Sequence, residues 1–564
     1  MKYKYYLIFF FLIVSCKPQA YKTPSAEHQA EASKGMVVSA HPLASQAGVE
    51  ILKQGGNAVD AWIATHLALA VVNPRAGNIG GGGFAIIRLP DGKAFALDFR
   101  EKAPEKAHKN LYLDENGNII EGLSIEGGLA VGIPGSVAGL YEAWKKFGNL
   151  EWKQLVQPAI ELAERGFQIT AKEAERLNKY QEVFKKYNPD DNIFIKDKWK
   201  QGDVLIQKDL AKTLTIIAQK GIVGFYQGEV AEALVRKVQK TGGIITLEDL
   251  KNYRAVFRKP VSVRYKQYNV ISMPPPSSGG VALGQLLKIV KDYPVRNWGF
   301  HTYRTTHLMV EAEKRVYADR AKYLGDPDYY PVPVDTLLAD WYLQEKMKDF
   351  DPEKATPADS IWKDEYALKK ESFETTHISV VDANRMAVSC TTTLNSNYGS
   401  KVLVDGFGFF LNNEMDDFSA KPGVPNQFGL IGGAANSIAP GKRMLSSMTP
   451  TIVEKNGKLF MVLGTPGGST IITSVFQVFL NVVEFNMNIY DAVQAPRFHH
   501  QFLPDEIMYE KNCFSPPVMD SLQQAGHHLR EVQRLGYVKA ILMEDNKLFG
   551  SGDMRNPDDD VEGY

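Results

Sequence analysis

Residues 375–399 read TTHISVVDANRMAVSCTTTLNSNYG, two hydroxyl-rich arms around a polar centre. Alternation along a strand puts Thr375, His377, Ser379 and Val381 on one face of the first arm. Ser389, Thr391, Thr393 and Asn395 share one face of the second. If Val381 pairs with Ala387, an antiparallel hairpin sets Thr375 directly opposite Thr393, with Cβ atoms roughly 4.5–5.5 Å apart. That arrangement suits a threonine nucleophile oriented by a second hydroxyl. A threonine hydroxyl is a weak nucleophile until a base takes its proton. An N-terminal threonine carries that base itself, because a free α-amine has an ordinary pKa of about 7.7–8.0. An internal Thr375 has no such amine, so this chemistry requires a cut after Glu374.

The elements that would position these groups mix helix and strand in both halves of the chain. Residues 44–55 and 57–72 read as helices, closed by Gly55-Gly56 and by Asn73-Pro74. Residues 84–88 and 94–99 read as strands paired around Pro90-Asp91-Gly92. Residues 145–250 are mostly helical, with a polar surface loop near residues 187–203. Residues 268–273 form a strand that leads into PPPSSGG, residues 280–324 a long helical region, and residues 459–463 a strand that runs into GTPGGS. Residues 349–374 are charged, carry two prolines and show little apolar periodicity. A chain that cuts itself before Thr375 needs an end there that can move aside. Strands flanked by helices on both sides of Thr375 argue for an α/β layered fold.

The motifs GGNAVDA, NPRAGNIGGGGF, DFREKAP, PPPSSGG, LNNEMDDFS, KRMLSSMTP, GTPGGS and APRFHHQ follow one another between residue 35 and Tyr564. With the T-T-H-x-S start at Thr375, this series resembles the γ-glutamyltranspeptidases, also called glutathione hydrolases, which are N-terminal-nucleophile hydrolases. The resemblance implies a four-layer αββα sandwich built from both halves of a self-cut chain. It implies that Thr375 attacks the Glu374 carbonyl and that water hydrolyses the resulting ester. A large subunit, residues 35–374, then stays with a small one, residues 375–564, as a heterodimer.

The implied reaction passes the γ-glutamyl group of glutathione or a related donor through an ester on Thr375, without cofactor or metal. Water as second nucleophile gives hydrolysis; an amino acid or dipeptide gives transpeptidation. By the same resemblance Thr393 orients Thr375, and Gly467 and Gly468 form the oxyanion hole, where adjacent glycines let backbone N–H groups come close. Arg100, with a guanidinium fork, binds the donor's α-carboxylate together with Ser446 and Ser447. Asn395, Glu414 and Asp417 accept from its α-ammonium. Two positions depart from the family pattern. The hairpin turn has Arg385-Met386 where Gly followed by Asn or Ser is usual, which leaves Asn384 to take the left-handed conformation. Phe428 stands where several relatives have tyrosine, in a lid-like stretch, residues 425–443, expected to limit bulky donors.

The chain has 564 residues, 44% of them hydrophobic, ample for a large core. Length alone suggests about four domains of ~150 residues; the layered fold replaces them with one unit. Its 65 basic and 65 acidic residues cancel, and no basic stripe stands out, which argues against a nucleic-acid partner. The cationic MKYKYY and the apolar LIFFFLIV make a targeting segment too short to span a bilayer comfortably. Ile13-Val14-Ser15-Cys16 resembles a bacterial lipobox, with residues 1–15 removed and Cys16 acylated. Residues 16–34 suit a flexible tether. The expectation is an exported, periplasmic or cell-envelope lipoprotein that touches the membrane only through its lipid. Cys390 and Cys513 then remain, too few for a disulfide framework. Cys390 points away from the Thr393 face and reads as a small core residue.

Three other signals fail on context. Residues 80–85 fit G-x-G-x-x-A, but they precede an apparent strand rather than follow one, so close backbone packing explains them better than a dinucleotide. Ser136 lacks the glycine two residues earlier that a nucleophile elbow needs. His499-His500 lack any partner at metal-ligand spacing and read as structural. Two other functions compete. An acylase of glutaryl or cephalosporin-type amides would share the nucleophile, but its substrate has no ammonium for Glu414 and Asp417. A catalytically inactive lipoprotein that binds γ-glutamyl peptides would not need every proposed catalytic position filled, as it is here.

Overall fold

The sequence AVDAWIATHLALAVV is apolar all round, and the helix it forms, Ala58–Val72, is buried along its whole length. Asn57 starts it with a capping box: its side chain accepts from Val59 and Asp60, and the Asp60 carboxylate accepts from the Asn57 N–H. The computed structural model describes residues 19–189, 192–362, 375–421, 424, 426–427, 429–430 and 432–564. Cys16 with its targeting segment, Glu374 at the expected cut, and Phe428 in the lid lie outside the described residues.

Two seven-stranded sheets form the centre. The first runs Asp560–Gly563, Met36–Ser39, Thr376–Val381, Ala387–Thr393, Gly82–Arg88, Ala94–Phe99, Val256–Arg258, antiparallel throughout. The second runs Gln29–Ala32, Lys547–Ser551, Lys539–Glu544, Lys458–Gly464, Thr451–Lys455, Tyr268–Ser272, Val261–Tyr265, also antiparallel. They stack face to face. Val38, Phe84, Ile86 and Val381 of the first meet Ile271, Ile452, Val462 and Ile541 of the second in one apolar layer. Pro42–Lys53 and Ala58–Val72 cover the outer face of the first sheet. Gly279–Val290 and Ile471–Val483 cover that of the second, and Tyr303–Tyr323 packs on Gly279–Val290. The result is the expected αββα sandwich. Each sheet draws strands from both sides of Thr375, so neither half can complete its own core.

The hairpin pairs in the expected register, from Thr376 opposite Thr392 to Val381 opposite Ala387. Its turn differs from expectation: Arg385, not Asn384, takes the left-handed conformation, with φ 64°. Asp382 Oδ1 accepts the N–H groups of both Asn384 and Met386 and fixes the turn from inside. The Arg385 guanidinium donates to the carbonyls of Ser33, Lys34 and Asn546, which holds a conformation that costs a side chain about 1–2 kcal/mol. The first helix starts at Pro42 rather than residue 44, because His41 Nδ1 accepts the Leu43 N–H and Pro42 suits the first turn. The expected helical run over 280–324 breaks around Pro294 and Gly299 into Gly279–Val290, Val295–Trp298 and Tyr303–Tyr323.

The glycine run behind the hairpin does what close packing requires. A Cβ on Gly81 would sit 2.0 Å from the Thr393 carbonyl oxygen, and one on Gly83 2.4 Å from that of Thr391. From the second sheet, Gly464 presses on the buried His377 ring, where a Cβ would lie 2.2 Å from Cε1. Gly464→Ala is therefore expected to cost about 1–3 kcal/mol. A urea-unfolding midpoint equal to that of the parent would contradict this packing.

Candidate active site

Thr375 immediately precedes the strand Thr376–Val381 and is 5% exposed. Its Oγ1 donates to Thr393 Oγ1 across 3.5 Å, at the long limit of a hydrogen bond. Thr393 Oγ1 also accepts the Asn395 N–H at 2.7 Å. Two residues along the same face, His377 is locked in one tautomer. Ser379 Oγ donates to the Lys539 carbonyl, so it accepts from His377 Nε2–H at 3.1 Å. Nδ1 is then left to accept from Thr391 Oγ1 at 2.8 Å. Burial, and after it the charge of Lys539, holds the His377 pKa well below the ordinary histidine range. His377 is a neutral brace and not a proton carrier. Asn78 supports the neighbouring backbone, donating to Thr393 O at 3.0 Å, and Ser136 Oγ donates to Asn78 Oδ1 at 2.6 Å. Ser136 thus serves as structure.

Arg100 follows the strand Ala94–Phe99 and is 1% exposed. Its Nη1 lies 2.6 Å from Glu414 Oε2, its Nη2 2.5 Å from Asp417 Oδ2, and Glu101 stands 3.7 Å away. Nε donates to the Met444 carbonyl, and Nη2 also reaches that of Leu445. Glu414 and Asp417 come from one short 3-10 turn, Glu414–Asp417, which aims both at the same guanidinium. The close Arg100–Glu414 contact is charge against charge rather than an aligned hydrogen bond. Neither Glu414 oxygen, nor either oxygen of Glu101, accepts one among the described residues. Burial raises the pKa of Glu414 well above the carboxylate range and raises that of Asp417, against the pull of Arg100. Burial also pushes Glu101 up to about 8. Arg100 itself loses to burial but gains more from Glu414, Asp417 and Glu101, so its net shift is upward.

The remaining walls come from loops. Asn395, at φ 75°, donates through Nδ2 to the Asn413 carbonyl and keeps Oδ1 as an acceptor. The Ser446 carbonyl accepts both the N–H and the hydroxyl of Ser278, each at 2.7 Å. Ser447 Oγ is buried without a partner among the described residues. Gly467 and Gly468 end the strand Lys458–Gly464 and open the helix Ile471–Val483 through a 3-10 turn, with φ 146° and 54° that demand glycine. Their N–H groups meet no acceptor among the described residues. One cavity joins Thr375, Thr393, Arg100, Asn395, Glu414, Asp417, Ser446, Ser447 and Gly468. Gly467 lies directly behind it in the chain.

Sequence reasoning missed Glu101 and Arg320, which also face this constellation. Glu101 had a signal, its place beside Arg100 in DFREKAP; Arg320, in the middle of a charged helix, had none. His499 and His500 are buried and tied by hydrogen bonds to Thr473, Gln501 and Asp505. Another buried group, His307, Glu311 and His527, has the residue types of a cation site. Its atoms are engaged: His307 Nδ1 with His527 Nε2 at 2.8 Å, and Glu311 with Arg315 at 2.7 Å and Lys314 at 3.5 Å.

Residues 44–562 match the family model described as Gamma-glutamyltranspeptidase. The chain belongs to the γ-glutamyltranspeptidase family. It is an enzyme, 46% identical over 541 residues to the glutathione hydrolase proenzyme of Escherichia coli (strain K12), across 95% of this chain and 93% of that protein. The crystal structure of Helicobacter pylori gamma-glutamyltranspeptidase, at 48% identity and TM-score 0.55, covers 56% of this chain and 92% of its own. The cephalosporin acylase of Bacillus halodurans shares the whole fold, with TM-score 0.82 at 29% identity, over 98% of this chain and 99% of that one.

In this member of the γ-glutamyltranspeptidase family the cavity's charge balance has a measurable cost. A carboxyl with a raised folded pKa loses stability as pH climbs from its unfolded value toward the folded one, because the unfolded chain ionises first. Arg100→Met removes the cation that most strongly counters this effect in Glu101, Glu414 and Asp417, leaving Asp417 only the weaker pull of Arg320. The variant is expected to lose about 3–5 kcal/mol near pH 8, and clearly less near pH 5, where the carboxyls hold protons. A loss equal at both pH values in urea unfolding would contradict the charge assignment.

Proposed function

We propose that this chain is a γ-glutamyltransferase and glutathione hydrolase that cuts itself between Glu374 and Thr375 and then carries the donor's γ-glutamyl group on Thr375. The observation that carries the reading is one cavity holding both a threonine nucleophile and a pocket of both charge signs. A γ-glutamyl donor presents an α-carboxylate and an α-ammonium. With the pocket empty, Arg100 pairs with both Glu414 and Asp417. The donor's ammonium replaces Arg100 between the carboxylates, with Asn395 Oδ1 as a further acceptor, and its carboxylate takes the released guanidinium with Ser446 and Ser447. The donor's α-end brings one charge of each sign, so binding leaves the net charge of the buried site unchanged and gives each buried group an opposite partner.

The chemistry follows from the freed terminus. Thr375 Oγ1 attacks the γ-carbonyl while its α-amine takes the hydroxyl proton, and Thr393 holds the hydroxyl in line. The N–H groups of Gly467 and Gly468 stabilise the oxyanion. Collapse breaks the bond to the leaving amine, which departs with the proton and leaves a γ-glutamyl ester on Thr375. Water or the amine of an amino acid or dipeptide then attacks the ester and restores the hydroxyl. For maturation, Oγ1 attacks the Glu374 carbonyl instead, and water hydrolyses the ester that forms. The proposed product is a heterodimer of residues 35–374 and 375–564. It sits outside the cytoplasm, in the periplasm or cell envelope, after loss of residues 1–15 and acylation of Cys16; the expected tether over 16–34 is shortened, because Gln29–Ala32 is a strand of the second sheet and Tyr21 bridges Phe167. The proenzyme names of the relatives agree with such processing.

The acylase reading draws support from the shared fold of the Bacillus halodurans cephalosporin acylase. A glutaryl-type donor has no ammonium and would leave Glu414 buried without a donor. The γ-glutamyl anilide is therefore expected to exceed the glutaryl anilide in kcat/KM by at least about a hundredfold. Equal turnover, or a preference for the glutaryl compound, would overturn the proposed donor class.

A further inference from the structure

Arg320 is the cation of this cavity that the reaction scheme leaves unused. It projects from the helix Tyr303–Tyr323, is 5% exposed, and lines the same space as Thr375 and Ser447. Its Nε donates to Ser278 Oγ at 3.1 Å, and the Ser278 hydroxyl in turn donates to the Ser446 carbonyl. Beyond that bond its guanidinium has no acceptor and no ion pair among the described residues. Arg100, by contrast, enters each bond with its directions filled, by Glu414, Asp417 and the Met444 and Leu445 carbonyls. Burial pulls the Arg320 pKa down to about 10, eased by Tyr317 and Asp417 and aggravated by Arg100, so the side chain gains from an added anion.

The anion that fits is a carboxylate on the Ser446–Ser447 wall. The Ser446 hydroxyl accepts the Met448 N–H and keeps its proton to donate, and Ser447 Oγ has no partner among the described residues. We propose that Arg320 is a second guanidinium for the α-carboxylate of the donor, set in place before binding, while Arg100 must first give up Glu414 and Asp417 to the incoming ammonium. Arg320 would then fix which amino acids enter the site: donors without an α-carboxylate leave it buried and unmatched. This assignment rests on the γ-glutamyl reading of the site.

The test compares two donors in the mature, self-cut protein: a γ-glutamyl anilide, and a 4-aminobutyryl anilide that keeps the amine but lacks the α-carboxylate. Turnover of the first by the parent protein checks the donor reading independently of Arg320. Arg320→Gln is expected to raise KM for the γ-glutamyl anilide about tenfold and to leave that for the 4-aminobutyryl anilide unchanged, so the preference between them narrows tenfold. If Arg320 only braces Ser278 and the Ser446 loop, both donors weaken equally and the assignment is overturned. If Arg320→Gln fails to mature, Arg320→Lys keeps the charge without the fork. It is expected to raise KM about threefold for the γ-glutamyl anilide alone; an equal change for both donors overturns the assignment.

Discussion

The backbone ladder between Thr376–Val381 and Ala387–Thr393 is the constraint on which the site depends. It lies in the middle of the first sheet, between Met36–Ser39 and Gly82–Arg88, so its register is fixed from both sides. A slip of one residue would turn His377 and Ser379 out of their hydrogen bonds and put apolar residues in their place. With the register fixed, Thr375 meets Thr393 at the sheet's end, where loops of both sheets converge. Gly81 and Gly83 allow the backbone behind to approach without a side chain between, and Gly464 does so from the opposite sheet.

The second determinant is electrostatic. Two guanidiniums and the carboxyl groups of Glu101 and Glu414 are buried around one cavity, with Asp417 nearly so, an arrangement costly to desolvate unless charges meet opposite partners. In the empty pocket Arg100 pairs with the carboxyl groups, in contacts that a zwitterionic ligand can replace. Stability is spent on a site that only a ligand of matching charge completes, which is how polar pockets gain selectivity. The neutral His377 behind Thr375 fits the same picture: it orients by hydrogen bonds and adds no charge next to the nucleophile.

What the sequence made legible follows from which contacts are local. Alternation and the Asp382–Met386 turn gave the hairpin register without any tertiary information. The left-handed residue in that turn was missed because Arg385 is held by the carbonyls of Ser33, Lys34 and Asn546, distant in sequence. The end of Ala58–Val72 was readable from Asn73-Pro74, whereas the break at Pro294 inside an apolar helical run was read through. Arg100, Glu414, Asp417 and the two glycines at 467 and 468 were found through their motifs; singly, an arginine or a Gly-Gly pair says little. Arg320 lies in a helix so rich in charge that burial could not be foreseen from it. Its place is set by packing on Gly279–Val290 and by Ser278 at that helix's start.

Everything proposed for Thr375 requires that it become an N-terminus. The most direct measurement is the intact mass of the purified protein beside its Thr375→Ala variant. Two fragments in the parent, the smaller beginning at Thr375, together with an unsplit variant, would be the expected outcome and would identify the residue that cuts. A single unbroken parent chain in its folded state would contradict the mechanism, because Thr375 would lack the amine that makes its hydroxyl a nucleophile.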